Sequence, residues 1–132
     1  MTTIEQFTYV IAGHEEADYV PFHGPEVGGT GGTAEFGEIA VLRQGAYDGK
    51  VLIAGFWRAQ PATSPLYDVP LGDESGYVIE GSADIELVDS GEVVHLKAGQ
   101  LYSFKKGTLT RWTILEPFKK FVVVSDGSAQ QR

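Results

Sequence analysis

The residues best placed to do chemistry lie in LYDVPLGDESGYVIEG, from Leu66 to Gly81, and in the stretch that ends at Trp112. Glu74, Gly76 and Val78 alternate along one face of an expected strand, so the carboxylate turns inward with a glycine leaving space beside it. A carboxylate facing an apolar interior is desolvated, which raises its pKa toward neutrality, where proton transfer is most efficient. General acid–base catalysis follows, with Glu74 moving a proton and Tyr67 or Asp68 assisting. Trp112, Tyr102 and Thr110, with Trp57 or Phe56 according to strand phase, would shape a substrate pocket of apolar walls and a few converging polar groups. The same pattern also suits a Glu74 that is bonded to Tyr67 or to a backbone amide and only supports the barrel.

The histidines add no metal-ligand spacing to this set, and there is no cysteine. His95 lies between Val94 and Leu96, and faces solvent or a partner subunit if those two face the core. His14 in GHEEAD and His23 in PFHGPE fall in an N-terminal arm, where surface positions are expected. His23 is the one that an arm folded over the pocket mouth would deliver as an imidazole.

These residues need a scaffold of short strands to bring them together. Apolar residues alternate with period two in brief runs punctuated by glycine, proline and aspartate, and no segment reads as a helix. Strands are expected at 7–11, 37–42, 51–60, 74–80, 83–88, 92–96, 101–104, 110–115 and 118–124, the last three forming a meander. Turns are expected at Tyr47-Asp48-Gly49-Lys50, Asp89-Ser90-Gly91 and Leu115-Glu116-Pro117. The run GGTGGT, from Gly28 to Thr33, lacks the lysine and hydroxyl residue of a phosphate loop and reads as a flexible connection. Without an internal repeat the pattern is that of a single all-β domain, a sandwich or barrel.

Composition narrows the partners. The 132 residues carry 18 acidic and 10 basic side chains, a formal charge of -8 that repels a phosphate backbone. The doublets Lys105-Lys106 and Lys119-Lys120 read as solvated strand ends and turns, so nucleic acid is disfavoured. The segment Met1 to Val10 has neither a basic start nor an apolar signal core, and no apolar run is long enough for a bilayer. A cytoplasmic location with no membrane association is the expectation.

The glycine-bracketed frame around Glu74 and Gly81, and the second frame from Gly99 to Trp112, resemble the two motifs of the cupin superfamily. Laid on those motifs, the first two histidine positions fall on Tyr67 and Val69, or on Asp68 and Pro70, and the third falls on Thr110. Of the usual three imidazoles and one carboxylate only Glu74 remains, so no tightly held metal is expected. The run Gly55-Phe56-Trp57, the segment from Tyr67 to Leu87 and GQLYSFKKGTLTRWTILEPFKKFVVV resemble one subgroup, which includes ureidoglycine aminohydrolase-like proteins and a cupin of ethanolamine utilisation. Its specific elements here are Asp73-Glu74, Tyr77 to Gly81, Thr110, Trp112, Glu116, Pro117 and Lys120.

The resemblance implies a jelly-roll β-barrel at 35–126, with an arm at 1–34 and a tail at 127–132. A manganese-dependent hydrolysis or a phosphotransfer does not carry over with it, because the histidines and a phosphate loop are missing. The function expected is metal-independent acid–base catalysis on a small metabolite. A non-catalytic binding module is the alternative, and a hydrolase or oxygenase using Mn, Fe, Ni or Zn is a further one. Exposed sheet edges suggest a homodimer, with Tyr77, Ile79 and Phe121 as outward candidates.

Overall fold

The computed structural model describes residues 9–25, 33–47 and 50–126. Eight antiparallel strands carry the fold: β1 Val20–Pro25, β2 Thr33–Tyr47, β3 Lys50–Ala59, β4 Ala62–Thr63, β5 Asp73–Leu87, β6 Glu92–Lys97, β7 Leu101–Phe104 and β8 Thr110–Ser125. Among the described residues there is no helix, hence none long and apolar enough to cross a membrane.

The two long strands, β5 and β8, pair with each other from Asp73 opposite Ser125 to Leu87 opposite Thr110. Their ladder is irregular between Val78 and Ala83, and their other neighbours change there. The first half of β5 and the second half of β8 lie in a sheet of order β1-β2-β3-β8-β5-β7. Beyond the irregularity, β6 flanks β5 and β4 flanks β8. Two sheets therefore share two bent strands, and their inner faces meet in one core. Trp57, Val78 and Val122 enter it from the first sheet, and Ala83, Ile85 and Ile114 from the second.

The bend has a local cause. Gly81 adopts φ +84°, and a Cβ there would collide with the Pro117 carbonyl on the facing strand. The irregularity inverts the alternation of β5: Glu74, Gly76 and Val78 are buried before it, Ala83 and Ile85 after it. In β8 the exposed triplet Leu115-Glu116-Pro117 crosses the bend without inversion, so Thr110, Trp112, Ile114, Phe118, Lys120, Val122 and Val124 all face inward.

Several expectations need correction. The strands expected at 74–80 and 83–88 are one, as are those at 110–115 and 118–124, because Leu115-Glu116-Pro117 crosses a bend and is not a hairpin turn. There is no terminal meander, since β7 pairs with β5 and not with β8. Residues 9–11 are not in a strand, and Phe7 lies outside the described residues. Residues 20–25 form β1 on the edge of the first sheet, paired with β2, so that part of the arm belongs to the sheet. The Asp48-Gly49 turn and most of GGTGGT also lie outside the described residues, while Asp89-Ser90-Gly91 closes the hairpin between β5 and β6 through Gly91 N–H to the Leu87 carbonyl at 2.8 Å.

The Lys119-Lys120 doublet is buried, not solvated. Lys119 faces the outer side of the first sheet, where its Nζ lies 3.0 Å from His14 Nδ1. His14 also meets the Phe56 ring there at 6.2 Å, and Arg58 stacks on Tyr19 at 3.8 Å. The segment before β1 thus packs on the back of the sheet.

Candidate functional site

Between the sheets lies a cavity of about 270 Å3. Trp57, Trp112, Val122 and Val124 form its inner walls; β1 and β2 contribute Phe22, Phe36 and Ile39. The connection after β4 closes another side with Ser64, Pro65, Leu66, Tyr67 and Leu71. Exposed Val41 and Leu71 mark the side open to solvent. Glu74 and Lys120 are the charged residues of this lining.

Those two charges are held in a triad with Tyr102. The Tyr102 hydroxyl donates to Glu74 Oε2 at 2.5 Å, and Lys120 Nζ donates to the same oxygen at 3.0 Å and to the Tyr102 hydroxyl at 2.5 Å. Both hydrogen bonds to the carboxylate fall on Oε2, leaving Oε1 without a partner among the described residues. Lys120 Nζ also lies 4.2 Å from the Trp112 ring centroid, 4.9 Å from that of Tyr102 and 5.0 Å from that of Trp57. Three electron-rich ring faces and one carboxylate therefore compensate an ammonium removed from water.

Sheet geometry places each member. Glu74 shares the inward face of β5 with Gly76, and Gly76 is the cross-strand partner of Tyr102 on β7. A Cβ on Gly76 would come within 2.5 Å of the Tyr102 ring, so the glycine is what lets the ring approach β5 closely enough to reach Glu74. Lys120 reaches the same point from β8, one strand away on the other side of β5, where it is paired with Val78.

The proton affinities follow from this packing. Burial is the largest influence on Glu74 and acts to raise its pKa, but the Lys120 charge and the hydrogen bonds from Tyr102 and Lys120 together outweigh it. Its carboxyl is held below the usual range, and Glu74 is ionised at neutral pH. The expected shift toward neutrality is thereby corrected: a desolvated carboxylate next to a fixed cation behaves as one of an ion pair. Burial lowers the Lys120 pKa, although Glu74 pulls it the other way. Burial, with the Glu74 charge, raises the Tyr102 phenol well above its ordinary value and keeps it a hydrogen-bond donor. Tyr67 is also pushed up, by burial first and then by Glu74 and Asp68.

The wall at 64–69 is stitched to β8. Ser64 and Trp112 exchange hydrogen bonds, from Ser64 N–H to the Trp112 carbonyl at 2.7 Å and from Trp112 N–H to Ser64 Oγ at 2.9 Å. Tyr67 and Thr110 form a bridge, reinforced by the Thr110 hydroxyl donating to the Tyr67 carbonyl at 2.8 Å. Val69, buried at φ +50°, anchors the turn that follows. A β-branched residue seldom adopts that conformation, so the loop is held by its surroundings and not by local preference.

The structure thus brings Glu74, Trp57, Trp112 and Tyr67 to one cavity. Tyr102 stands behind Glu74 as its hydrogen-bond partner. Thr110 is fully buried and serves the wall, while Asp68 is not part of the lining. His23 does not deliver an imidazole: Phe22 and Gly24 line the cavity, and the His23 ring is half exposed beside Glu35, 3.9 Å away. Phe56 is buried on the opposite face of β3 from Trp57, against His14 and Phe121. Lys120 is the functional candidate that the sequence reading missed. Its signal was parity, since it lies an even number of residues beyond Thr110, Trp112 and Ile114, but a turn assumed at Glu116-Pro117 broke the count.

The sequence profile of the EutQ-like cupin domain matches residues 48–121. The chain belongs to this cupin family. No curated protein matches the chain. Among solved structures, it is similar to ethanolamine utilization protein Q from Salmonella typhimurium, with 18% identity, TM-score 0.56, and coverage of 82% of this chain and 95% of that one. It is similar to KdgF from Halomonas sp. at 19% identity and TM-score 0.58, covering 90% and 92%. The cupin domain of Schizosaccharomyces pombe Cnp3 aligns at 10% identity and TM-score 0.60, covering 86% and 90%. At such identities these likenesses establish a shared fold alone.

A metal of the kind held by histidine-bearing cupins does not fit this cupin's residues. Val69 offers no donor atom, the Thr110 hydroxyl is spent on a backbone carbonyl, and Asp68 lies off the cavity. Glu74 is paired to an ammonium that would repel a second cation. Among the described residues no group of three or more potential ligands converges.

Proposed function

We propose that this cupin is an acid–base enzyme of the isomerase, lyase, cyclase or hydrolase kind, acting on a small metabolite without using a bound metal. The observation that carries the reading is the divided carboxylate of Glu74: Oε2 is clamped by Tyr102 and Lys120, while Oε1 has no partner among the described residues on a buried side chain that lines an apolar cavity. A buried polar atom without a partner costs stability unless a bound molecule satisfies it.

The arrangement suits proton abstraction next to a carbonyl group. Glu74 Oε1 takes a proton from the carbon α to the carbonyl, and the released electron pair moves onto the carbonyl oxygen. The Lys120 ammonium, itself buried among aromatic rings, stabilises the charge developing there. The proton returns to a different carbon in an isomerisation, or a β-substituent departs in an elimination. Tyr102 fixes the carboxylate, and the rings of Trp57 and Trp112 orient the substrate. A second reading, a binding module with no turnover, draws on the apolar walls.

The test is exchange of α-protons for deuterium, followed by NMR, over a panel of small ketones and aldehydes in chelator. Binding is followed in parallel by the fluorescence of Trp57 and Trp112. The expected result is exchange by the native protein and a loss of about 10²-fold or more in Glu74→Gln with binding retained. Ligands that bind without any exchange would leave the binding module as the correct description.

A further inference from the structure

We infer that Lys120 is a covalent nucleophile, forming an imine with an uncharged aldehyde or ketone bound in the cavity. The inference rests on the proton-transfer reading of the same site and names its substrate class. A cation needed only for electrostatic stabilisation has no use for a buried amine whose Nζ touches both a proton acceptor and a proton donor. Glu74 Oε2 at 3.0 Å is the acceptor; the Tyr102 hydroxyl accepts from Nζ at 2.5 Å and carries a proton of its own, now donated to Glu74 Oε2, that it can release to a reacting group beside Nζ.

Imine formation needs those two partners. Lys120 passes one ammonium proton to Glu74, and the freed nitrogen lone pair adds to the carbonyl carbon while the C=O π pair moves to oxygen. That oxygen takes the Tyr102 proton, and Tyr102 recovers one from the attacking nitrogen, leaving a neutral carbinolamine. Glu74 then protonates the hydroxyl, the C–O bond breaks to release water, and the nitrogen lone pair forms the C=N bond. Ammonium and carbonyl have become a protonated imine and water, with Glu74 again ionised and no oxidant or reductant required. The iminium charge stays where Trp112, Trp57 and Tyr102 already surround the ammonium at 4.2–5.0 Å. Glu74 can then remove the α-proton, which an iminium acidifies further than a carbonyl does.

The lining also sets the charge of the ligand. Glu74 and Lys120 neutralise each other, and among the described residues no other basic side chain lines the cavity. A carboxylate on the ligand would therefore enter an apolar space with no cation to receive it. A neutral carbonyl compound with an apolar substituent fits; a 2-oxo acid does not.

The experiment is reductive trapping on the intact protein with 3-phenylpropanal as probe, pyruvate as the charged comparison, and sodium cyanoborohydride as reductant. Peptide mass mapping locates the alkylated lysine. The expected result is a mass gain confined to the peptide carrying Lys120, at least about ten times its level on any exposed lysine, absent in Lys120→Arg and far weaker with pyruvate. Should Lys120→Arg not fold, competition by an unlabelled ketone in the native protein supplies the control, since only a cavity lysine is protected. Labelling spread evenly over exposed lysines, or pyruvate trapping as well as the aldehyde, overturns the inference. If α-exchange persists without trapping at Lys120, the imine fails while the acid–base reading stands. If neither exchange nor trapping occurs with bound probe, both fail.

Discussion

Replacing Lys120 by methionine keeps an unbranched chain of similar length in the aromatic cage and removes the charge together with the hydrogen bonds from Nζ to Glu74 and Tyr102. Glu74 then remains ionisable, 6% exposed, with Tyr102 as its single hydrogen-bond donor among the described residues. Removing one partner of a buried pair costs about 3–5 kcal/mol, because the remaining charge keeps its desolvation penalty without the attraction that offset it. Against a total stability of roughly 5–15 kcal/mol the variant should still fold. Its melting temperature at pH 7 should fall by roughly 10–20 °C.

The pH dependence separates this cause from a packing defect. In the native protein the Glu74 pKa is depressed below its ordinary value of 4.5, so its contribution is fully present above that pH and is lost as pH falls through the folded-state value. Without Lys120, burial dominates and raises the Glu74 pKa, so stability of Lys120→Met should rise as pH falls from 7 toward 4.5. The gap between the two proteins therefore narrows on acidification. Converting Glu74 to Gln in the Lys120→Met background should recover part of the loss at pH 7. Urea denaturation at several pH values measures all three proteins. A cost for Lys120→Met below about 1 kcal/mol, or one that does not change between pH 7 and 4.5, would refute the buried ion pair.

Three further substitutions probe the supports of the site. Gly76→Ala places a methyl group within 2.5 Å of the Tyr102 ring and should displace it from Glu74, lowering stability by about 1–3 kcal/mol and raising the Glu74 pKa in carbon-detected NMR. Thr110→Val removes one hydrogen bond to the Tyr67 carbonyl and keeps the backbone bridge, so it should cost about 0.5–1.5 kcal/mol and loosen ligand binding by calorimetry. Ile85→Ala empties a fully buried site on the second sheet away from the cavity lining; the expected cost is about 2–5 kcal/mol in denaturation, with α-exchange unchanged wherever the variant is folded.

Alternation and turn chemistry alone determined the all-β class, the inward row of Glu74, Gly76 and Val78, and the shared face of Thr110, Trp112 and Ile114, because neighbours on one strand have a fixed geometric relation. The absence of histidine from the motif positions was legible as well, since residue type at Tyr67, Val69 and Thr110 is read directly from the sequence. Tertiary structure decided what lies beyond each bend. The irregularity at Gly81 inverts parity in β5, while Leu115-Glu116-Pro117 preserves it in β8, and the pairing between those strands settles which happens. That is why Lys120 read as a solvated lysine and is a buried partner of Glu74, and why a carboxylate expected near neutrality is held ionised. A pKa depends on the charges within a few ångströms, and here the deciding charge lies 46 residues away in the chain.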